Sequence, residues 1–355
     1  MTLRKRIAFT AVIVALPFLA VALVEGFASL AVFVATVRHE RVAEAVHTER
    51  DTLLGWINLP NVNKPDLYGP GIGLHTNGQR FRHDGELAPR APAGKRRVVC
   101  SGGSFTLGYG VADAQTWCAI LAIADTSLET VNMGQGAYGM DQAYLWYMRD
   151  GLPLHADVHL MTFISPDLRR IDHRRLNGYP KPWLELTGDS IRVAGVPVPR
   201  AGMGPLLAQV QVAAMSTLRT YEVFRHFFGS GAKWSDPTSK DSITWDVANA
   251  ALRQLARRDK ANGTTLVVVA LPMIDDYKGA PSDQWRGWAH QAADRGDFEL
   301  LDLVEVFRRI PPDSVAALFI PEGGTAFRGA AGHYTPAGNA WVAQQLLRVL
   351  PSLSR

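Results

Sequence analysis

The 355 residues are 47% apolar and 20% charged, enough for a membrane segment plus one large core, which excludes a disordered polar chain. The formal net charge is +4, with Arg4, Lys5 and Arg6 clustered at the amino terminus; the nearly balanced remainder offers no electrostatic case for a nucleic-acid partner. Cys100 and Cys118 are the two cysteines, without metal-ligand spacing, so no metal site is expected from them; they read as two buried thiols or, outside the cytoplasm, as a disulfide.

In chain order, Arg4-Lys5-Arg6 precedes Ile7–Val24, which carries no charge, and apolar character resumes over Phe27–Val37 after Glu25. That length nearly spans a bilayer as a helix, whereas a cleaved signal peptide has a shorter apolar region. Residues 1–37 are therefore expected to be an uncleaved membrane anchor. Cleavage near Ala28-Ser29-Leu30-Ala31 is the alternative. The leading positive charges place the amino terminus inside and the following domain on the periplasmic or extracellular side. Glu25 is read as lying near the outer interface. Residues 38–50 read as a short helical stalk, and residues 51–97, rich in Gly, Pro and Asn, as irregular wrapping chain.

From residue 98 strand-like and helix-like segments alternate. Strands are expected at Val98–Cys100, Glu129–Met133, Val158–Ile164, Thr265–Leu271 and Phe298–Leu303. Helices are expected at Gln115–Ala124, Met140–Arg149, Thr244–Lys260, Ser282–Ala293 and Pro336–Leu350. This order predicts an α/β fold: three layers, α/β/α, around a mainly parallel sheet. The near-continuous apolar strands suit burial on both faces. Residues 98–355 would form this domain, with an insertion at about 172–243. Within it, Lys181–Leu186 and Ile191–Val193 flank a turn and read as a hairpin. An amphipathic helix over Leu206–Phe228 follows, and together they suggest a lid. Trp183, Trp234 and Trp245 could line a groove or simply pack in a core.

Ser104 sits on a glycine-flanked turn where the first core strand gives way to a helix, in Gly102-Gly103-Ser104-Phe105-Thr106. Ligands of open α/β sheets bind at that edge, and a hydroxyl on such a turn can act as a nucleophile if a base takes its proton. His333, in the loop before the last helix, is the candidate base, because its pKa is near neutrality and its loop reaches the same edge. The loop Asn132–Gly139 follows the second strand and can offer a backbone N–H to an oxyanion. It also spells G-x-G-x-x-G, but no acidic residue stands at the end of the next strand. A dinucleotide reading fails, and no cofactor is expected.

Three blocks together resemble the SGNH (GDSL-type) hydrolase superfamily, in particular its membrane-anchored bacterial members. They are Gly102–Thr106, Asn132–Gln142 and His333-Tyr334-Thr335-Pro336-Ala337-Gly338-Asn339. Asn77–Arg82 and the Lys181-Pro182 hairpin are also similar to members of that group. No Gly stands two positions after Ser104, which argues against the G-x-S-x-G elbow. The resemblance implies hydrolysis or transfer of an ester-linked acyl group on envelope glycans or lipids. Ser104 would attack, His333 would serve as general base, and Ser104 with the Gly136–Ala137 region would bind the oxyanion. The pattern departs from the family in three places. Gly103 replaces the block aspartate. Pro166 stands where the oxyanion asparagine belongs, leaving Ser165 as substitute. Ala330 and Ala331 stand where an aspartate would orient the histidine, leaving Glu322 as the candidate acid. A catalytically inactive domain that binds a glycan or partner protein is the alternative.

Overall fold

The computed structural model describes residues 2–39, 47–188, 190–207, 210, 241–278, 283–295 and 298–353. The chain divides into two compact units, residues 1–42 with 201–236, and residues 43–200 with 237–355. In the first, α1 (Leu3–His39) is one continuous helix despite Pro17. Its stretch Leu3–Ala31 is long and apolar enough to cross a membrane, a test that a signal sequence also passes. The helix expected over Leu206–Phe228 lies almost wholly outside the described residues, as does Trp234.

The second unit is built on five parallel strands, β5 (Arg96–Gly102), β6 (Leu128–Gly134), β7 (Val158–Phe163), β12 (Thr265–Ala270) and β13 (Glu299–Asp302). Their order across the sheet is β13-β12-β7-β5-β6. The chain reverses its winding between β5 and β7, and such a switch point opens a crevice at the carboxyl ends of the strands. Between the sheet strands run α2 (Ser104–Leu107), α3 (Trp117–Ala124), α4 (Met140–Trp146), α5 (Ser165–Arg169) and α6 (Asp241–Ala261). After β12 come α7 (Asp283–Asp294), α8 (Leu303–Phe307), α9 (Pro312–Val315) and α10 (Pro336–Val349).

Alternation along the strands fills two separate cores. Val99, Met161 and Val268 face one layer, with Trp146 of α4, Leu252 and Leu255 of α6 and Trp285 of α7. Val98, Leu160 and Val267 face the other, with Trp117 and Leu121 of α3, Phe307 of α8 and Val342 and Leu346 of α10. The expected α/β/α layering is therefore present. Each sheet strand overlaps its expected segment, and every residue of β7 is buried.

The chain before the sheet differs from expectation. Thr48–Asp51 is not a helical stalk but a strand, β1, paired antiparallel with β2 (Gly55–Asn58). Residues 40–46 lie outside the described residues. Nor is residues 51–97 merely irregular: β3 (Asn63–Gly69) and β4 (Ile72–His75) form a second hairpin. Leu54, Trp56, Ile57 and Phe81 are buried in the core of the α4 layer. Turn-rich composition hid β2 and β3, which begin and end at Gly or Asn.

The inserted hairpin is present, as β10 (Trp183–Thr187) and β11 (Ser190–Ala194), after the two-residue strands β8 (Arg175–Leu176) and β9 (Tyr179–Pro180). Trp183 lies under the Arg174 guanidinium at 4.0 Å and Trp245 packs on Trp288 at 4.9 Å, so both have protein partners. The segment is pinned by Lys181, which is fully buried in an ion pair with Asp141 of α4 and donates to the Arg170 and His173 carbonyls. Removing one member of such a pair strands the other charge. Lys181→Met is expected to cost about 3–5 kcal/mol in denaturant unfolding at pH 7. The loss should shrink at pH 5, because the orphaned Asp141, already raised by burial, can then be protonated in the fold. An equal loss at both pH values would contradict this.

Candidate active site

β5 ends at Gly102, and Ser104 opens α2, with Gly103 before it in extended conformation and Gly108 closing it at φ 86°. The turn lifts the Ser104 hydroxyl off the sheet edge. Its Oγ lies 2.7 Å from His333 Nε2, although 229 positions separate the two. The nucleophile and base expected from sequence are thus in hydrogen-bonding contact.

His333 is held by packing and by its own backbone. Its N–H donates to Ala330 O at 3.0 Å, and its carbonyl accepts from Ile320 N at 2.8 Å. The imidazole packs against two aromatic rings, Phe105 at 4.4 Å and Tyr109 at 5.2 Å between centroids. Its Nδ1 is buried without a hydrogen-bond partner. Burial is the main cause that lowers its pKa to about 4; the nearby Ala331 and Ala330 carbonyls oppose this weakly, and the Arg170 cation adds to it. At neutral pH the imidazole is therefore uncharged and able to accept a proton. Glu322, the expected orienting acid, does not fill that role: its side chain is exposed, and Nδ1 of His333 bonds to nothing. A carboxylate in that loop gains more from solvation than it would from entering an apolar site.

The other expected residues follow the carboxyl ends of neighbouring strands. Gly136 and Ala137 follow β6, where Trp56 Nε1 donates to Gly136 O at 2.9 Å and Ala137 adopts φ 62°. Asn132 braces the same edge, donating to Thr106 O at 2.8 Å and accepting from Gly134 N at 2.9 Å. Ser165 opens α5 ahead of Pro166 and is half-buried. Among the described residues it makes no hydrogen bond to Ser104 or His333. Beside Gly103 lies the Asp167 carboxyl: a side chain at Gly103 would begin 3.2 Å from Asp167 Oδ2. Asp167 also accepts from Ile164 N and from Arg170 Nη1, and burial lifts its pKa to about 6. The space next to the Ser104 turn is thus taken by a carboxyl from α5 rather than by one from residue 103.

Two groups escaped the sequence. Arg82, buried, donates to the carbonyls of Leu107, Gly108, Val111 and Gly73 and pairs with Asp113. It fixes the chain that runs on from Ser104. Its signal was its place in Asn77–Arg82, but no local pattern tells a buried arginine from an exposed one. The second is a Ser–His–Asp series lying wholly inside the core. Ser101 Oγ is 2.6 Å from His159 Nε2, and His159 Nδ1 is 2.9 Å from Asp259 Oδ2. Tyr147 stacks on His159 at 3.5 Å and donates to Asp259. Ser101 is 1% exposed and His159 and Asp259 0%, so no substrate can reach them and the series is an internal brace between β5, β7 and α6. No cluster of three or more His, Cys, Asp or Glu suited to a metal occurs among the described residues.

No family model matches the chain, and no curated protein matches it. Solved structures do. The chain is similar to a G-D-S-L family lipolytic protein from Desulfitobacterium hafniense DCB-2, at 15% identity and TM-score 0.37, covering 72% of this chain and 99% of that one. It is also similar to a lipase/acylhydrolase from Enterococcus faecalis, at 9% identity and TM-score 0.40, covering 72% and 95%. A third is a catalytic mutant of an acetylxylan esterase from Geobacillus stearothermophilus, at 14% identity and TM-score 0.38, covering 73% and 95%. The roles of individual residues rest on the geometry above.

The lowered pKa makes a direct prediction. Followed by histidine NMR, His333 should remain neutral down to about pH 4. Its folded value lies below the ordinary 6.5, so the unfolded chain binds more protons between those limits. This residue therefore removes stability as pH falls through that window. His47, buried beside Tyr109 and also lowered to about 4, acts with the same sign. A His333 midpoint near 6.5 would overturn the buried, neutral assignment.

Proposed function

We propose that this chain is a membrane-anchored SGNH-type serine esterase or acyltransferase that acts on ester-linked acyl groups of envelope glycans or lipids. The observation that carries the reading is the 2.7 Å contact between Ser104 Oγ and a neutral, buried His333 Nε2. A serine hydroxyl becomes a competent nucleophile when such a base can take its proton.

In the proposed reaction Ser104 Oγ attacks the ester carbonyl while His333 Nε2 accepts its proton. His333 then returns that proton to the departing alcohol, leaving an acyl group on Ser104. Water or a second hydroxyl, deprotonated by the same imidazole, then attacks the acyl carbonyl; the ester bond to Ser104 breaks and the imidazolium returns its proton to Ser104 Oγ. Backbone N–H groups of Ser104 and of the Gly136–Ala137 loop are the proposed oxyanion donors, and Ser165 a polar neighbour of the pocket. Removal of one such donor costs about 2.7–4 kcal/mol of barrier lowering in serine hydrolases.

The site would work as a dyad. An orienting carboxylate holds the histidine tautomer in a triad, and its loss alone can cost about 10⁴ in turnover. Here Phe105 and Tyr109 pack against the ring, and the Ala330 carbonyl holds the His333 backbone N–H. The unpartnered Nδ1 favours a second reading, a domain that binds an acylated glycan or a partner protein without turning it over.

Labelling of the full chain with a fluorophosphonate probe separates the two. The proposed enzyme labels on Ser104, and both Ser104→Ala and His333→Ala abolish labelling while melting within a few degrees of the native protein. Glu322→Gln should label at the native rate. Absence of labelling in the well-folded native chain would favour the binding reading.

The anchor is tested separately. Leu3–Ala31 is proposed to remain in the mature protein as a single span, with the sheet domain on the periplasmic or extracellular side. The purified mature chain should then begin near Met1 and stay with membranes after a high-salt wash. A mature chain beginning near residue 32 would show cleavage instead.

A further inference from the structure

Cys100 lies in the middle of β5, four positions before Ser104, and Cys118 is the second residue of α3. Their Sγ atoms are 2.6 Å apart, and both side chains are buried, at 0% and 1% exposure. The two thiols are unbonded in the structure, and their separation is only a little longer than a disulfide bond of about 2.05 Å. Apolar groups enclose the pair: Val98, Phe105, Trp117 and Leu121 belong to the same core. Among the described residues neither Sγ hydrogen-bonds to any group but the other.

We propose that Cys100 and Cys118 form a disulfide in the mature protein, closing a loop that contains the nucleophile turn. The two cysteines are 18 positions apart, and Ser104, α2 and Tyr109 all fall between them. The bond would staple the central strand of the site to the helix that packs beneath it. It would fix the start of the Ser104 turn on one side, as Arg82 fixes the chain that leaves it on the other.

The chemistry requires a disulfide donor, either a thiol–disulfide oxidase or a small-molecule disulfide, as found outside the cytoplasm. One cysteine thiolate attacks the donor's S–S bond and expels one donor thiolate, giving a mixed disulfide. The second cysteine thiolate attacks the protein sulfur of that mixed bond and expels the other donor thiolate. Two protein thiols are oxidised, one donor disulfide is reduced to two thiols, and the two protons go to solvent or to the departing thiolates. Thiolates are the reacting species, and burial pushes the Cys100 thiol well above its ordinary pKa in the finished fold. The exchange therefore belongs to the chain before its core closes, and the same burial then shields the bond from reductants.

The full chain, made with its N-terminal segment and recovered from the membrane fraction, is unfolded in guanidinium with iodoacetamide and no reductant, then weighed intact. The proposal expects no added carbamidomethyl group, and two after prior reduction. Two added groups without prior reduction would overturn it. A second measurement compares melting. Protein refolded under reductant should melt roughly 6–12 °C below the oxidised form, the effect of opening a loop of this length in a domain of this size. Cys118→Ala should melt alike with and without reductant. A reductant effect of equal size in Cys118→Ala, or none in the native chain, would also overturn the proposal. Neither result depends on whether Ser104 turns over an ester.

Discussion

The carboxyl edge of the sheet is organised by backbone packed directly on backbone. A side chain at Gly134, the last residue of β6, would begin 1.9 Å from Leu107 N in α2. One at Gly102 would begin 2.2 Å from Thr162 Oγ1 of β7. A larger residue at Gly134 would have to move main chain and one at Gly102 would have to displace the Thr162 and Thr106 side chains, so three strand ends converge on one short turn. That convergence lets Asn132 reach Thr106 O, brings Asp167 beside Gly103 and leaves Ser104 at the top of the crevice. A more distant α2 would break these contacts together.

On this base the site is kept apolar where hydrolytic triads are charged. Phe105, which follows Ser104, and Tyr109 both pack against the His333 ring. Burial drives the imidazole to its neutral form, the form a general base needs before it acts. In the proposed reaction the cost would fall later, when an imidazolium forms without a carboxylate on Nδ1. Ala330 and Ala331 carbonyls supply the nearest compensating dipoles. Charge is instead placed one shell out, where Arg82–Asp113 and Arg170–Asp167 hold backbone in place. In those pairs the arginine's remaining donors find carbonyls, which a buried charge requires.

The hairpins before the sheet belong to this arrangement and are not a tether alone. Trp56 reaches Gly136 O, Arg82 reaches the chain after α2, and Tyr138 donates back to Trp56 O. Residues 47–82 thus complete the edge that β5, β6 and β7 begin. The fully buried Ser101–His159–Asp259 series braces the same strands from within. Its resemblance to a catalytic array shows that connectivity without access carries no chemistry.

By itself the sequence determined the alternation of strands and helices, and so the layered α/β fold, because hydrophobic periodicity is local. It also marked Ser104 and His333, since a glycine-flanked serine after an apolar strand and a histidine before a capped helix are local patterns. Tertiary structure alone decided the rest. Which acid orients a histidine depends on solvation across a loop, and here Glu322 is exposed while His333 Nδ1 is buried without a partner. Whether Arg82, His159 or Asp259 is buried depends on partners up to 112 positions away. The pairing of Thr48–Asp51 with β2, where a helical stalk was expected, depends on a neighbour strand and a core that local propensity does not contain. Short-range pattern sets the elements; the close approach of distant backbones decides which of their side chains meet.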